Sequence, residues 1–131
     1  MITQKLINVS QAMAEFEGWT PEGYFGGDKK QPSRAYRNHN PGNLRSSVFA
    51  LGERDGFVYF ISDSVGMFAM QYDIMQKARG KTVTELTGDS ILADLIKVYS
   101  ATEGVELENY VKHVTSRTGL EPTTKLSELI Q

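Results

Sequence analysis

The stretch Tyr36-Arg37-Asn38-His39-Asn40-Pro41-Gly42-Asn43-Leu44-Arg45 gathers three asparagines, two arginines, a histidine, a tyrosine and a Pro-Gly pair into ten residues. Proline presets one backbone angle and glycine permits the next, so Pro41-Gly42 marks a tight turn. Asparagine tolerates cramped loop backbone and carries both a donor and an acceptor. Such a loop fixes its own shape by side-chain to backbone bonds, or presents amides to a polar, uncharged ligand such as a sugar. Composition alone fits a plain polar surface turn equally well, so the flanking sequence has to decide.

Upstream, Ile2, Leu6, Val9, Met13 and Phe16 recur at steps of 4, 3, 4 and 3, one face of an amphipathic helix. Thr3 is placed to cap its start and Gly18 lies just past its end. Two carboxylates lie near that end. At roughly 100° per residue, Glu17 falls in the sector of Met13 and Phe16, whereas Glu15 falls nearly opposite, toward solvent. The negative end of a helix and apolar neighbours such as Phe16 and Trp19 both disfavour a charged carboxylate. Both effects are expected to raise the pKa of Glu17, which suits a general acid. A bond to a loop amide, or a pair with a nearby arginine, accounts for Glu17 without any catalysis.

Residues 18–47 show no sustained periodicity and are rich in Gly and Pro, while Tyr24, Phe25 and Tyr36 argue against plain disorder. Downstream, residues 47–51 and 57–61 read as two strands of a hairpin turned at Asp55-Gly56. Ser62 or Ser64 then caps a helix over 65–79 that is closed by Gly80. Val65, Phe68, Ala69, Tyr72, Met75 and Ala78 form its apolar set, and its methionines read as core filler. Thr82-Val83-Thr84-Glu85 has the form of a capping box opening a short helix over 82–87. Asp89 or Ser90 begins a helix over 91–100, with Leu92, Leu95, Ile96 and Tyr99 inward. A further helix over 107–118 turns Leu107, Tyr110, Val111 and Val114 inward and stops at Gly119. Residues 126–130 add a last turn after Pro122. These elements predict one α+β domain over residues 1–131, mostly helical, with one small hairpin.

A chain of 131 residues, 40% hydrophobic and 23% charged, is ordinary for a globular domain, and its net charge of −2 points to no strongly polyanionic partner. Lys29, Lys30, Arg34, Arg37 and Arg45 nevertheless face a single acid, Asp28, between positions 28 and 45. That is a local basic patch able to attract an anionic polymer. The absence of cysteine excludes disulfides and thiolate metal sites. His39 and His113 lack metal-ligand spacing, so neither a metal nor a cofactor is expected. No secretory signal and no bilayer-spanning run is visible, so membrane insertion is not expected. No nucleic-acid recognition motif is present.

These pieces resemble the lysozyme-like superfamily: a first helix ending in Glu17-Gly18-Trp19, then a polar hairpin lobe, then a helical lobe. A narrower resemblance is to small lysozyme-like proteins of phages and prophages. Their mark is Arg-Asn-Asn-Asn-Pro-Gly-Asn-Leu-Arg, present here from Arg37 to Arg45. They also carry a helix start like Gly66-Met67-Phe68-Ala69, and a late segment like Tyr110-Val111 with Thr118-Gly119-Leu120-Glu121-Pro122-Thr123-Thr124. This chain departs from the pattern at His39, where Asn is usual, and over residues 101–106, which lack an Asn-Pro pair.

The resemblance implies a peptidoglycan-degrading glycosidase, muramidase or lytic transglycosylase, with Glu17 as the catalytic acid. Asn40, Asn43, Arg45 and Tyr36 would bind substrate in the motif region, with Tyr99 or Tyr110 contributing from the helical lobe. Asp28, Glu22 and Asp55 are the candidates for a second carboxylate. The expected partner is the glycan strand of peptidoglycan, met by a monomer. The protein would be made in the host cytoplasm without a signal and would act at the bacterial wall or in a phage particle. A lysozyme fold kept as a wall-binding or virion module, with turnover lost, is the rival reading.

Overall fold

The computed structural model describes residues 2–21 and 33–131. Among them the helices are α1 (Gln4–Phe16), α2 (Arg34–Arg37), α3 (Asp63–Ala78), α4 (Leu92–Ser100) and α5 (Gly104–Thr118). Strands β1 (Gly52–Arg54) and β2 (Phe57–Tyr59) form one antiparallel hairpin, and a 3₁₀ turn at Leu126–Leu129 follows. The protein is therefore an α+β fold, mostly helical with one small sheet. No helix among the described residues is long and apolar enough to cross a membrane.

The chain divides into two compact units, Met1–Ala12 with Gln71–Gln131, and Met13–Met70. In the first, Leu6, Val9, Ile74, Leu92, Leu95, Ile96, Tyr110, Val114, Leu126 and Leu129 form the core. The Thr3 hydroxyl caps α1 by accepting from Leu6 N at 3.1 Å, and it donates to Leu129 O at 2.5 Å. Gly119 (φ 75) ends α5, its N–H bonded to Thr115 O. Just beyond it, the carbonyls of Pro122 and Thr124 accept from Ala93 N and Leu92 N, satisfying the first amides of α4. The Thr-Gly-Leu-x-Pro-x-Thr segment is thus a stop for one helix and a cap for another.

The second unit is built around Met13, Ala14, Trp19, Ala35, Leu44, Val58, Phe60, Ala69 and Met70. Its hairpin differs from the expected one. Asp55 (φ 51) and Gly56 (φ 85) both have positive angles, as a two-residue turn of this type needs, and they pair Arg54 with Phe57 directly. That register puts the first strand at residues 52–54, and the apolar run at 47–51 lies before it. Phe49 there meets the Phe68 ring edge-on at 5.3 Å.

Of the two expected caps of α3, Ser62 is the one used, accepting from Val65 N at 3.2 Å. Two other expectations are corrected. The buried face of α3 runs through Ala69, Met70, Ile74, Met75 and Ala78, leaving Phe68 41% exposed and Tyr72 exposed as well. No helix forms over 82–87. There the Thr82 and Thr84 hydroxyls bond each other, and Glu85 takes a left-handed backbone (φ 67) that a helix start does not permit.

Gly66 shows how tightly the motif loop lies on α3. A Cβ at this position would fall 2.0 Å from His39 O and 2.9 Å from Pro41 Cδ. Helix propensity alone would make Gly66→Ala stabilising by about 1 kcal/mol. The clash with backbone reverses that sign, and we expect a loss of at least about 2 kcal/mol, read as a lower urea midpoint at unchanged slope.

Candidate functional site

The end of α1 sets the position of Glu17. Gly18 (φ 100) donates to Glu15 O at 3.1 Å and Trp19 N donates to Ala14 O at 2.9 Å, the paired bonds of a Schellman stop. Glu17, its own N–H bonded to Met13 O at 3.0 Å, is the capping residue of that stop. Ser33 ties this stop to α2. Its hydroxyl donates to Gly18 O at 2.5 Å and accepts from Tyr36 N at 3.2 Å. Glu17 is half-buried, and so is Glu15, which the helical periodicity had placed toward solvent.

The asparagine-rich motif begins as α2 and leaves it in a sequence of turns. Asn38 N, His39 N and Asn40 N bond to Arg34, Tyr36 and Ala35 carbonyls, and Asn43 N closes the Pro41-Gly42 turn on Asn40 O at 2.9 Å. The left-handed residues are His39 (φ 50) and Asn43 (φ 49), not Gly42. His39, where the resembled motif has Asn, bonds through Nδ1 to Asp63 Oδ1 at 3.0 Å, joining the loop to the start of α3.

Asn40 is not a ligand contact. Its side chain has 0% exposure, and its amide is fully engaged. Nδ2 donates to Leu44 O at 3.0 Å and Val58 O at 2.9 Å, while Oδ1 accepts from Leu44 N at 2.9 Å. It is the internal brace of the loop and the strand beside it.

Asn43 is the residue that the motif delivers to Glu17. Its Nδ2 donates to Glu17 O at 3.2 Å and to the carboxylate Oε1 at 3.3 Å. Two residues 26 apart in sequence are thereby brought together. Asn43 Oδ1 and Trp19 Nε1 are buried with no partner among the described residues. Buried polar atoms of this kind ordinarily meet ordered water or a ligand.

The remaining candidates fall in different places. Tyr36 is half-buried beside Ser33. Arg45 is exposed, its guanidinium 4.4 Å from the Phe57 ring centre. In the other unit, Tyr99 is half-buried, with the Lys77 ammonium 5.7 Å from its ring centre, and Lys77 is itself paired with Asp73. Tyr110 is 1% exposed in the core, which removes it as a sugar contact. Asp55 occupies the hairpin turn. Glu22, Asp28, Lys29 and Lys30 lie outside the described residues. Sequence reasoning passed over Arg54, Phe57 and the Asn38 side chain; the facing positions of Arg54 and Phe57 across the Asp55-Gly56 turn were the available signal.

The chain matches no protein-family model, no curated protein and no solved structure.

Asn43→Ala does not isolate the side chain, because alanine at φ 49 adds backbone strain of about 1 kcal/mol or more. Asn43→Gly keeps the left-handed turn and removes only the amide. We expect it to fold normally and to lose the 3.3 Å contact to Glu17 Oε1. Circular dichroism and the NMR shifts of the Glu17 side chain together check this.

Proposed function

We propose that this protein is a lysozyme-like glycosidase that cuts the peptidoglycan glycan strand between N-acetylmuramic acid and N-acetylglucosamine, with Glu17 as general acid. The observation that supports this most is the Asn43 amide on Glu17. A polar loop with little apolar content is folded by its own buried asparagine so that another asparagine reaches the carboxylate at a helix end. A surface loop held only for solubility has no need of that arrangement.

In the proposed reaction Glu17 gives its proton to the glycosidic oxygen as positive charge grows on the muramic ring. Asn43 donates to Oε1, which assigns the transferable proton to Oε2 and fixes the carboxyl plane. If a second carboxylate activates a water on the opposite face, hydrolysis with inversion results. If none does, the muramic acid 6-hydroxyl attacks within the ring. Glu17, now a base, accepts the hydroxyl proton, and a 1,6-anhydro product leaves. Asp55 lies among arginines in the hairpin turn, and the motif itself holds no Asp or Glu, so the single-glutamate route is the reading we favour.

Mass spectrometry of muropeptides released from purified sacculi tests the proposal. Anhydro-muropeptides support the favoured route, and reducing ends support hydrolysis. No soluble product from any sacculus would leave a wall-binding module in place of an enzyme.

A further inference from the structure

On one side of the Met13–Met70 unit, Arg34, Arg37, Asn38, Arg54 and Asp55 line a partly open cavity of about 90 Å³. Arg34 and Arg37 are three residues apart on α2 and so share a face. Arg54 comes from the last position of β1. From these residues we propose that the cavity binds a single carboxylate, the free C-terminal carboxylate of a peptide stem on the glycan strand. The stem assignment rests on the function proposed above; the carboxylate chemistry does not.

Three features of the cavity carry this. First, none of the three arginines forms an ion pair among the described residues, although Asp55 lines the same cavity. Second, two of the three guanidiniums lie over aromatic rings. Arg34 lies 4.1 Å from the Phe57 ring centre and Arg54 lies 4.1 Å from that of Tyr59. Stacking occupies the flat side of a guanidinium and leaves the N–H edge for in-plane bidentate bonds. Third, Asn38 lines the cavity, and its side-chain amide bonds to no described residue, so a donor and an acceptor are left open toward it.

The size and charge of the site select among anions. About 90 Å³ admits a carboxylate and its first waters. Asp55 on the wall offsets part of the positive field and works against a doubly charged phosphate. The planar forks of arginine match the two oxygens of a carboxylate.

The test is an NMR titration of the folded protein with acetyl-Lys-D-Ala-D-Ala, which has one free carboxylate, with its C-terminal amide, and with inorganic phosphate. The free acid is expected to shift the side-chain N–H signals of Arg34, Arg37, Arg54 and Asn38, and the amide to leave them in place. Arg37→Gln and Arg54→Gln, both at exposed positions, should each weaken binding about tenfold. Asp55→Asn should tighten it several-fold, because it removes the opposing charge while asparagine keeps the turn. Equal binding of acid and amide, unchanged affinity in both arginine variants, or a response to phosphate alone would each overturn the proposal. A protein that binds the free acid but cleaves no wall would lose the proposed enzymatic function and retain this site.

Discussion

Glu17→Gln is expected to clear a peptidoglycan suspension at least about a hundredfold more slowly than the unmodified protein, the low end of what a positioned acid supplies. The substitution keeps the side-chain length, and its Oε1 still accepts from Asn43 Nδ2, so the 3.3 Å contact that orients the group survives. Only the transferable proton is lost. Stability should hold or rise slightly, since a carboxylate at the negative end of α1 is unfavourable when charged. Glu15→Gln is the matched control. It removes a second half-buried carboxylate from the same helical turn without touching Asn43's partner, and activity should persist. A normal clearance rate for Glu17→Gln would remove Glu17 from the chemistry.

Asn40→Ala should produce the largest loss of stability of any single polar substitution in the motif, about 3–5 kcal/mol. Its amide supplies three buried bonds. Removing it strands the Leu44 N–H and takes a donor from the carbonyls of Leu44 and Val58, in a protein whose total stability is expected to be about 5–15 kcal/mol. Asn40→Asp separates the two directions of bonding. The carboxylate still accepts from Leu44 N, but it faces two carbonyl oxygens instead of donating to them. Both variants should unfold at markedly lower urea, and activity should fall with the fold, because the turn that places Asn43 goes with it. A stable Asn40→Asp protein would show that the two donated bonds contribute little.

The parts of the fold set by local chemistry were legible in the sequence. Thr3 and Ser62 cap where a hydroxyl precedes an apolar period, and Gly18, Gly80 and Gly119 stop helices at positive φ. What escaped depended on partners distant in the chain. The hairpin register was settled by two turn residues rather than by the richest β-forming run, so residues 47–51 were placed in a strand they precede. The capping-box letters at Thr82–Glu85 describe a helix start only if Glu85 takes helical backbone, and here it is left-handed while the Thr82 hydroxyl meets the hydroxyl and the amide of Thr84. Phe68 and Tyr72 fit an apolar stripe by spacing, yet the buried face of α3 runs through Ala69, Met70, Ile74 and Met75, with Gly66 close against His39 O. At the candidate site, Glu17 and Asn43 were both legible, whereas the division of labour among the asparagines was not. Identical side chains three residues apart became a buried brace and a contact to the carboxylate, a distinction that only the turn between them decides.

The bond between Thr3 and Leu129 bears on the order in which the protein is made. It joins positions 126 apart, and the helical unit to which it belongs is assembled from both ends of the sequence. Closing so long a loop is entropically late, and contacts of high sequence separation slow folding. During synthesis every partner within Met13–Met70 has emerged long before the carbonyls of Pro122 and Thr124 can cap α4. A nascent chain therefore carries the hairpin and motif bonds while the Thr3 hydroxyl still lacks its acceptor at Leu129. Premature termination after α5 would leave Thr3 without Leu129 and the first amides of α4 without the carbonyls that cap them.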